Sequence, residues 1–160
     1  MRKFELVCTV NEFNSIDELS DADKVLIAEA NRSLSAAYAP YSGFRVGCAL
    51  LLDDGTIICG NNQENAAYPS GLCAERVAFF YAGANYPGKK IKTVAITTAD
   101  MLDNPVAPCG ACRQVMAEYE SKQHEPIRLL LAHAGKNIYI IERIADLLPI
   151  QFVLNKSLGS

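Results

Sequence analysis

Apolar and polar positions change period several times along the chain, and each change marks an element. Phe4, Leu6, Cys8 and Val10 alternate with Glu5, Val7, Thr9 and Asn11, a period of two that predicts a short strand ahead of the main body. The period then lengthens. Ala22, Leu26, Ala30, Leu34 and Ala37 form a helical stripe that Ser20 can cap and that must stop by Pro40. After the Ser42-Gly43 turn, the apolar runs Phe44 to Leu52 and Thr56 to Gly60 flank Asp53-Asp54-Gly55, which predicts an antiparallel hairpin.

Residues 61 to 72 are polar and turn-rich, ending in Pro69-Ser70-Gly71, the composition of a loop that builds a pocket. Cys73 then opens a helix whose stripe is Val77, Phe80, Tyr81 and Ala84. A strand over Ile91 to Thr98 and a proline-containing loop lead to a second helix, opened by Cys109 and Cys112 and continued by Val115, Met116 and Tyr119. Strands over Ile127 to Ala132 and Ile138 to Ile141 follow, and a short helix from Glu142 to Leu148 ends at Pro149. This alternation predicts an α/β fold, a three-layer α/β/α sandwich on a mixed five-stranded sheet opened by the hairpin. Residues 1–19 read as an extension and 20–160 as one domain.

The two cysteine-led helices carry the chemistry. Cys109 and Cys112 can share the inner side of a first turn, and Cys73 can reach the same point from the other helix. Zinc takes four tetrahedral ligands, and three protein ligands leave one position open to water, as a catalytic site requires. Glu75 lies roughly 200° around the helix from Cys73, too far round to be a fourth ligand but able to approach that water as a general base. Three thiolates outweigh one Zn²⁺ by a negative charge, so two helix N-termini and Arg76, one turn after Cys73, are expected to compensate.

Composition narrows the field. The 160 residues are 50% hydrophobic and 21% charged, and 15 basic against 18 acidic side chains give a net charge of −3 without a basic block. Long nucleic acids are disfavoured as partners. No apolar run approaches the ~20 residues of a membrane span. Arg2-Lys3 precede an apolar stretch broken by Glu5 and Asn11, unlike a signal peptide. A reducing cytosol is therefore expected, where six cysteines serve as ligands or small core residues. Two bland readings stay open here: a thioredoxin-type dithiol at Cys109 and Cys112, and a structural zinc site closed by Cys8, Cys48, Cys59, His124 or His133.

Cys73-Ala74-Glu75-Arg76 and Pro108-Cys109-Gly110-Ala111-Cys112-Arg113-Gln114, taken with Tyr41-Ser42-Gly43-Phe44 and Glu64-Asn65-Ala66-Ala67-Tyr68, resemble the small tetrameric cytidine deaminases of pyrimidine salvage over most of residues 21 to 152. The resemblance implies hydrolysis of cytidine and 2'-deoxycytidine to the uracil nucleosides and ammonia, through attack of zinc-activated water at C4. It implies Zn²⁺ on Cys73, Cys109 and Cys112, Glu75 as the proton shuttle, and Arg76 behind the thiolates. It also implies substrate contacts from Phe44 to the pyrimidine, from Asn62 and Glu64 to the ribose, and from Ala74. Tyr68 and Phe152 match residues that the family shares across subunit contacts of a cytoplasmic homotetramer. No membrane or nucleic-acid polymer is implied as partner. The first ~20 residues extend beyond the usual helix start, and Gln63 stands where an aliphatic residue is common. Arg113 and Gln114 are expected to hydrogen-bond locally around the zinc helix.

Overall fold

The Asp53-Asp54-Gly55 turn closes as expected, with Gly55 at φ 85°, a region open to glycine at little cost. In this computed structural model, which describes residues 1–100, 103–133 and 137–154, it joins β2 (Val46–Leu52) to β3 (Ile57–Asn61) antiparallel. Residues 101–102 of the loop before Cys109 and the last six of the expected domain lie outside the described residues. β4 (Ile91–Thr98) flanks β2 antiparallel, and β5 (Arg128–His133) runs parallel to β4. Parallel neighbours need a crossover, supplied by α3 (Gly110–Gln123). β6 (Ile138–Ile141) returns antiparallel to β5.

The sheet has six strands in the order β1-β6-β5-β4-β2-β3, not five. The additional strand, β1 (Asn11–Phe13), pairs with β6 from within the supposed extension. It begins where the expected strand ends. Phe4, Leu6, Val7 and Val10 are exposed and carry no regular structure, because alternation without a face to cover or an edge to join gains nothing. Asn11–Phe13 has both the open edge of β6 and a following 3₁₀ turn, Ile16–Glu18, fixed by a Ser15/Glu18 capping box.

Side chains of the central strands alternate between two cores. On one face α1 (Asp21–Ser33), capped by Ser20, packs Leu26, Ile27 and Ala30 against Ala49, Ala95, Leu130 and Ile140. On the other, Cys48, Leu50, Val94, Ile96, Leu129 and Leu131 meet α2 (Ala74–Asn85) and α3. The sandwich is therefore α/β/α. The buried face of α2, however, is Ala74, Glu75, Ala78, Phe79 and Ala82, while Phe80 and Tyr81 of the expected stripe are exposed. Close approach is the reason. A Cβ on Gly60 of β3 would lie 2.6 Å from the Ala74 carbonyl and 2.7 Å from the Ala78 nitrogen, so a row of alanines faces the sheet and the Phe80 and Tyr81 rings turn outward.

The expected helix from Glu142 to Leu148 shortens to a 3₁₀ turn, Ile144–Leu147. Its start is held from α3: the buried Glu120 carboxylate accepts the Ile144 and Ala145 N–H groups, both at 2.9 Å, and that of Ile127 at 2.7 Å. Of the cysteines expected in the core, Cys48 is buried, whereas Cys8 and Cys59 are exposed. Among the described residues, no helix is long and apolar enough to cross a membrane.

Candidate metal centre and pocket

Cys73 and Cys109 are the N-cap residues of α2 and α3, each extended in backbone and neither capping through its own side chain. The first N–H groups of both helices are thus free of side-chain caps, and their partial positive charge favours a thiolate nearby. Cys112 lies one turn into α3 and is fully buried. The three sulfurs all lie within 4.8 Å of one another, with Cys73 and Cys109 3.9 Å apart. A tetrahedron with Zn–S bonds of about 2.3 Å has edges of about 3.8 Å. The donor set fits zinc.

Among the described residues, no histidine, carboxylate or other cysteine joins the three sulfurs. His124, a candidate closing ligand, instead ends α3 in the left-handed region at φ 55° and is exposed, and Cys8 and Cys59 are exposed elsewhere. Three ligands and no fourth is the pattern of an open site. A dithiol reading would leave Cys73 without a purpose.

The charges around the sulfurs are strongly coupled. The Cys73 thiol is pulled down to about 5, chiefly by a hydrogen bond from Cys112, with further help from Arg76 and Cys109. Cys112 is pushed up by the same hydrogen bond and by burial. One proton is thus held on Cys112 against a Cys73 thiolate. Arg76 Nη2 reaches Cys73 Sγ at 3.8 Å and the Gly71 carbonyl at 3.5 Å.

Glu75 points inward and is only 4% exposed. Burial, reinforced by the Cys73 charge, raises its carboxyl above the usual range, against opposing hydrogen bonds from its own backbone and Cys112 and the charge of Arg76. A carboxyl so raised holds a proton more readily than an exposed one. Cys48, beneath it on β2, is also pushed up by burial and by Glu75.

A cavity of about 490 Å³ opens beside the sulfurs, and Asn62, Glu64, Tyr68, Cys73 and Arg76 line it. Tyr41 and Ser42 line it too; their motif was visible in the sequence, but a pocket role was not read from it. Phe44, Ala74, Glu75 and Phe152 stand outside this lining. A separate cavity of about 240 Å³ lies at the far ends of α2 and α3 around Tyr86, Tyr119 and Lys122.

Asn62 and Glu64 have structural work that the sequence did not reveal. Asn62 accepts from Val46 N at 2.9 Å and donates to the Phe44 carbonyl at 2.8 Å, which fixes the entry to β2. Glu64 accepts from Tyr41 N at 2.9 Å, Ser42 N at 3.2 Å and the Ser42 hydroxyl. The Ser42 hydroxyl first, then the Tyr41 N–H, hold its carboxyl below the usual range. Each residue still keeps a free polar site, one N–H and one lone pair on the amide and a lone pair on the carboxylate. Tyr68 is 76% exposed and meets Tyr41 edge to face, with ring centroids 6.1 Å apart. Phe152 is 69% exposed.

Residues 20–124 match the family described as the cytidine and deoxycytidylate deaminase zinc-binding region. The chain is 52% identical to the cytidine deaminase of Sporosarcina psychrophila over 99 residues, 62% of this chain and 70% of that protein. To the cytidine deaminase of Mycobacterium tuberculosis it is 34% identical over 138 residues, 86% of this chain and 95% of that protein. The crystal structure of cytidine deaminase from Burkholderia pseudomallei superposes with a TM-score of 0.71 at 40% identity, covering 81% of this chain and 98% of that one.

The thiol electrostatics have a direct consequence. In the zinc-free protein, Cys73 should react with iodoacetamide as a thiolate above about pH 5 and lose reactivity below it, with zinc protecting it. Peptide mapping across the pH range would show this; reactivity at Cys73 that appears only above about pH 8, like an ordinary thiol, would contradict it.

Proposed function

The chain belongs to the cytidine and deoxycytidylate deaminase family, and on that footing we propose that it hydrolyses the exocyclic amine of cytidine and 2'-deoxycytidine, releasing ammonia. The observation that carries the reading is the three-sulfur cluster with a buried carboxylate two residues after Cys73 and no fourth ligand among the described residues. Zinc, when bound there, supplies a Lewis acid that makes water a nucleophile near neutral pH. Cys73, Cys109 and Cys112 hold it. Arg76 and the two helix N-termini offset the surplus negative charge.

Glu75 moves the protons. Its carboxylate accepts one proton from the attacking water and passes it to N3 of the pyrimidine; it then takes the second from the hydroxyl now on C4 and delivers it to the amine, which leaves as ammonia while the C4 carbonyl forms. Burial and the Cys73 charge raise its carboxyl above the usual range, the direction that favours proton delivery by its acid form. Asn62 and Glu64 offer their remaining polar sites to the sugar hydroxyls at the wall of the cavity. Phe44, held by Asn62 through its own carbonyl, packs its ring on the base, and Ala74 presents backbone beside Glu75.

The exposed Tyr68 and Phe152 complete sites across the contacts of a homotetramer, and six free cysteines suit the reducing cytoplasm, where pyrimidine salvage takes place. Sedimentation at micromolar concentration should give a tetramer; a fully active monomer would sink the shared-site reading. For the chemistry, ammonia release from cytidine should fall by at least about 10²-fold in Glu75→Gln, with one zinc retained per chain. Undiminished turnover in that variant would remove Glu75 from the reaction. No turnover by folded, zinc-loaded wild type would reject cytidine as the substrate.

A further inference from the structure

We propose that Gln114 is a positioning residue for the nucleoside site: its side-chain amide fastens the C-terminal segment to the zinc-carrying helix and so sets where Phe152 stands. The inference rests on the reading of Phe152 as a substrate-site residue. Gln114 Nε2 donates to the Phe152 carbonyl at 3.1 Å, two residues after Cys112. Local hydrogen bonding around the zinc helix is expected of Gln114; its partner is instead 38 residues away in sequence. The anchor therefore belongs to the same rigid helix that presents two of the sulfurs.

Three residues of α3, Gln114 among them, hold the segment in sequence. Glu120 takes the Ile144 and Ala145 N–H groups at its start. Arg113 Nη1 donates to the Leu147 carbonyl at 3.2 Å, while Nε donates to that of Pro108 at 2.8 Å, beside Cys109. Beyond Leu148, among the described residues, the bond from Gln114 is the only hydrogen bond to the segment.

Burial of its apolar side chains does not hold it in place within one chain. Ile150 is 85% exposed, Phe152 69% and Leu154 63%. Ile150 also adopts φ 54°, a left-handed conformation that a β-branched residue takes only under constraint. The turn at Ile150 brings the Phe152 carbonyl back to α3, and the Gln114 amide is the group that meets it. Gln114 touches no reacting atom. It acts through Phe152.

Gln114→Met removes the amide while keeping an unbranched, uncharged chain of similar length. In the zinc-loaded full chain, KM for cytidine should rise about 3- to 10-fold, the weight of one hydrogen bond, with kcat within about twofold and zinc content unchanged. The chain has no tryptophan, so Val153→Trp provides a single tryptophan next to Phe152, excited selectively over the tyrosines. Adding Gln114→Met should increase its quenching by acrylamide without substrate present. Phe152→Ala separates the two readings: unchanged KM there rejects Phe152 as a site residue. Raised KM there, with KM and quenching both unmoved by Gln114→Met, overturns the anchor. Loss of zinc, or lower kcat at constant KM, in Gln114→Met would also overturn it, by assigning Gln114 to the metal helix alone.

Discussion

The structure depends on one convergence: two helices begin at the same point on one side of the sheet, and each begins with a cysteine. Every larger feature serves that meeting. β2, β3 and β4 form the floor; α2 lies on it closely enough that Gly60 has no room for a side chain; and α3 fills the crossover between β4 and β5, the sheet's parallel pair. With both axes fixed, Cys73, Cys109 and Cys112 fall within 4.8 Å of one another. Uncapped helix ends would otherwise leave N–H groups unmet, and here their positive ends face three sulfurs that must be thiolates to hold a metal.

Much of the polar chemistry nearby performs two tasks. Asn62 and Glu64 tie down the stretch from Tyr41 to Val46 and also line the cavity. Glu120 uses a buried carboxylate to receive three backbone N–H groups from two different segments, and Arg113 links the residue before Cys109 to the C-terminal segment. Preorganisation of this kind lets loops present groups with the accuracy of helices. Substituting such a residue would disturb shape and chemistry together, which is why the single contact of Gln114 is the cleaner handle.

The sequence disclosed the chemistry better than the packing. Cysteine spacing at two helix starts is a local pattern, and the fold brings the Cys73, Cys109 and Cys112 sulfurs together, with Glu75 buried and Arg76 in contact with Cys73. The hairpin and the cap at Ser20 were equally local. What failed depended on distant partners. Phe80 and Tyr81 looked like the inward face of α2 because they are large and apolar, but Gly60 draws the alanine row inward instead. Alternation in Phe4 to Val10 promised a strand, yet pairing began at Asn11, where β6 offers an edge. Cys59 sits in an apolar run but on the exposed side of β3. Nothing near Gln114 in sequence points to Phe152, 38 residues away.

Three sulfurs to hold zinc and one position left open to water are what the proposed chemistry requires. X-ray absorption at the zinc edge of the loaded protein tests it most directly. Three sulfur neighbours at about 2.3 Å and one oxygen at about 2.0 Å are expected. Four sulfur neighbours, or three with a histidine nitrogen in the fourth place, would make the site closed and contradict it.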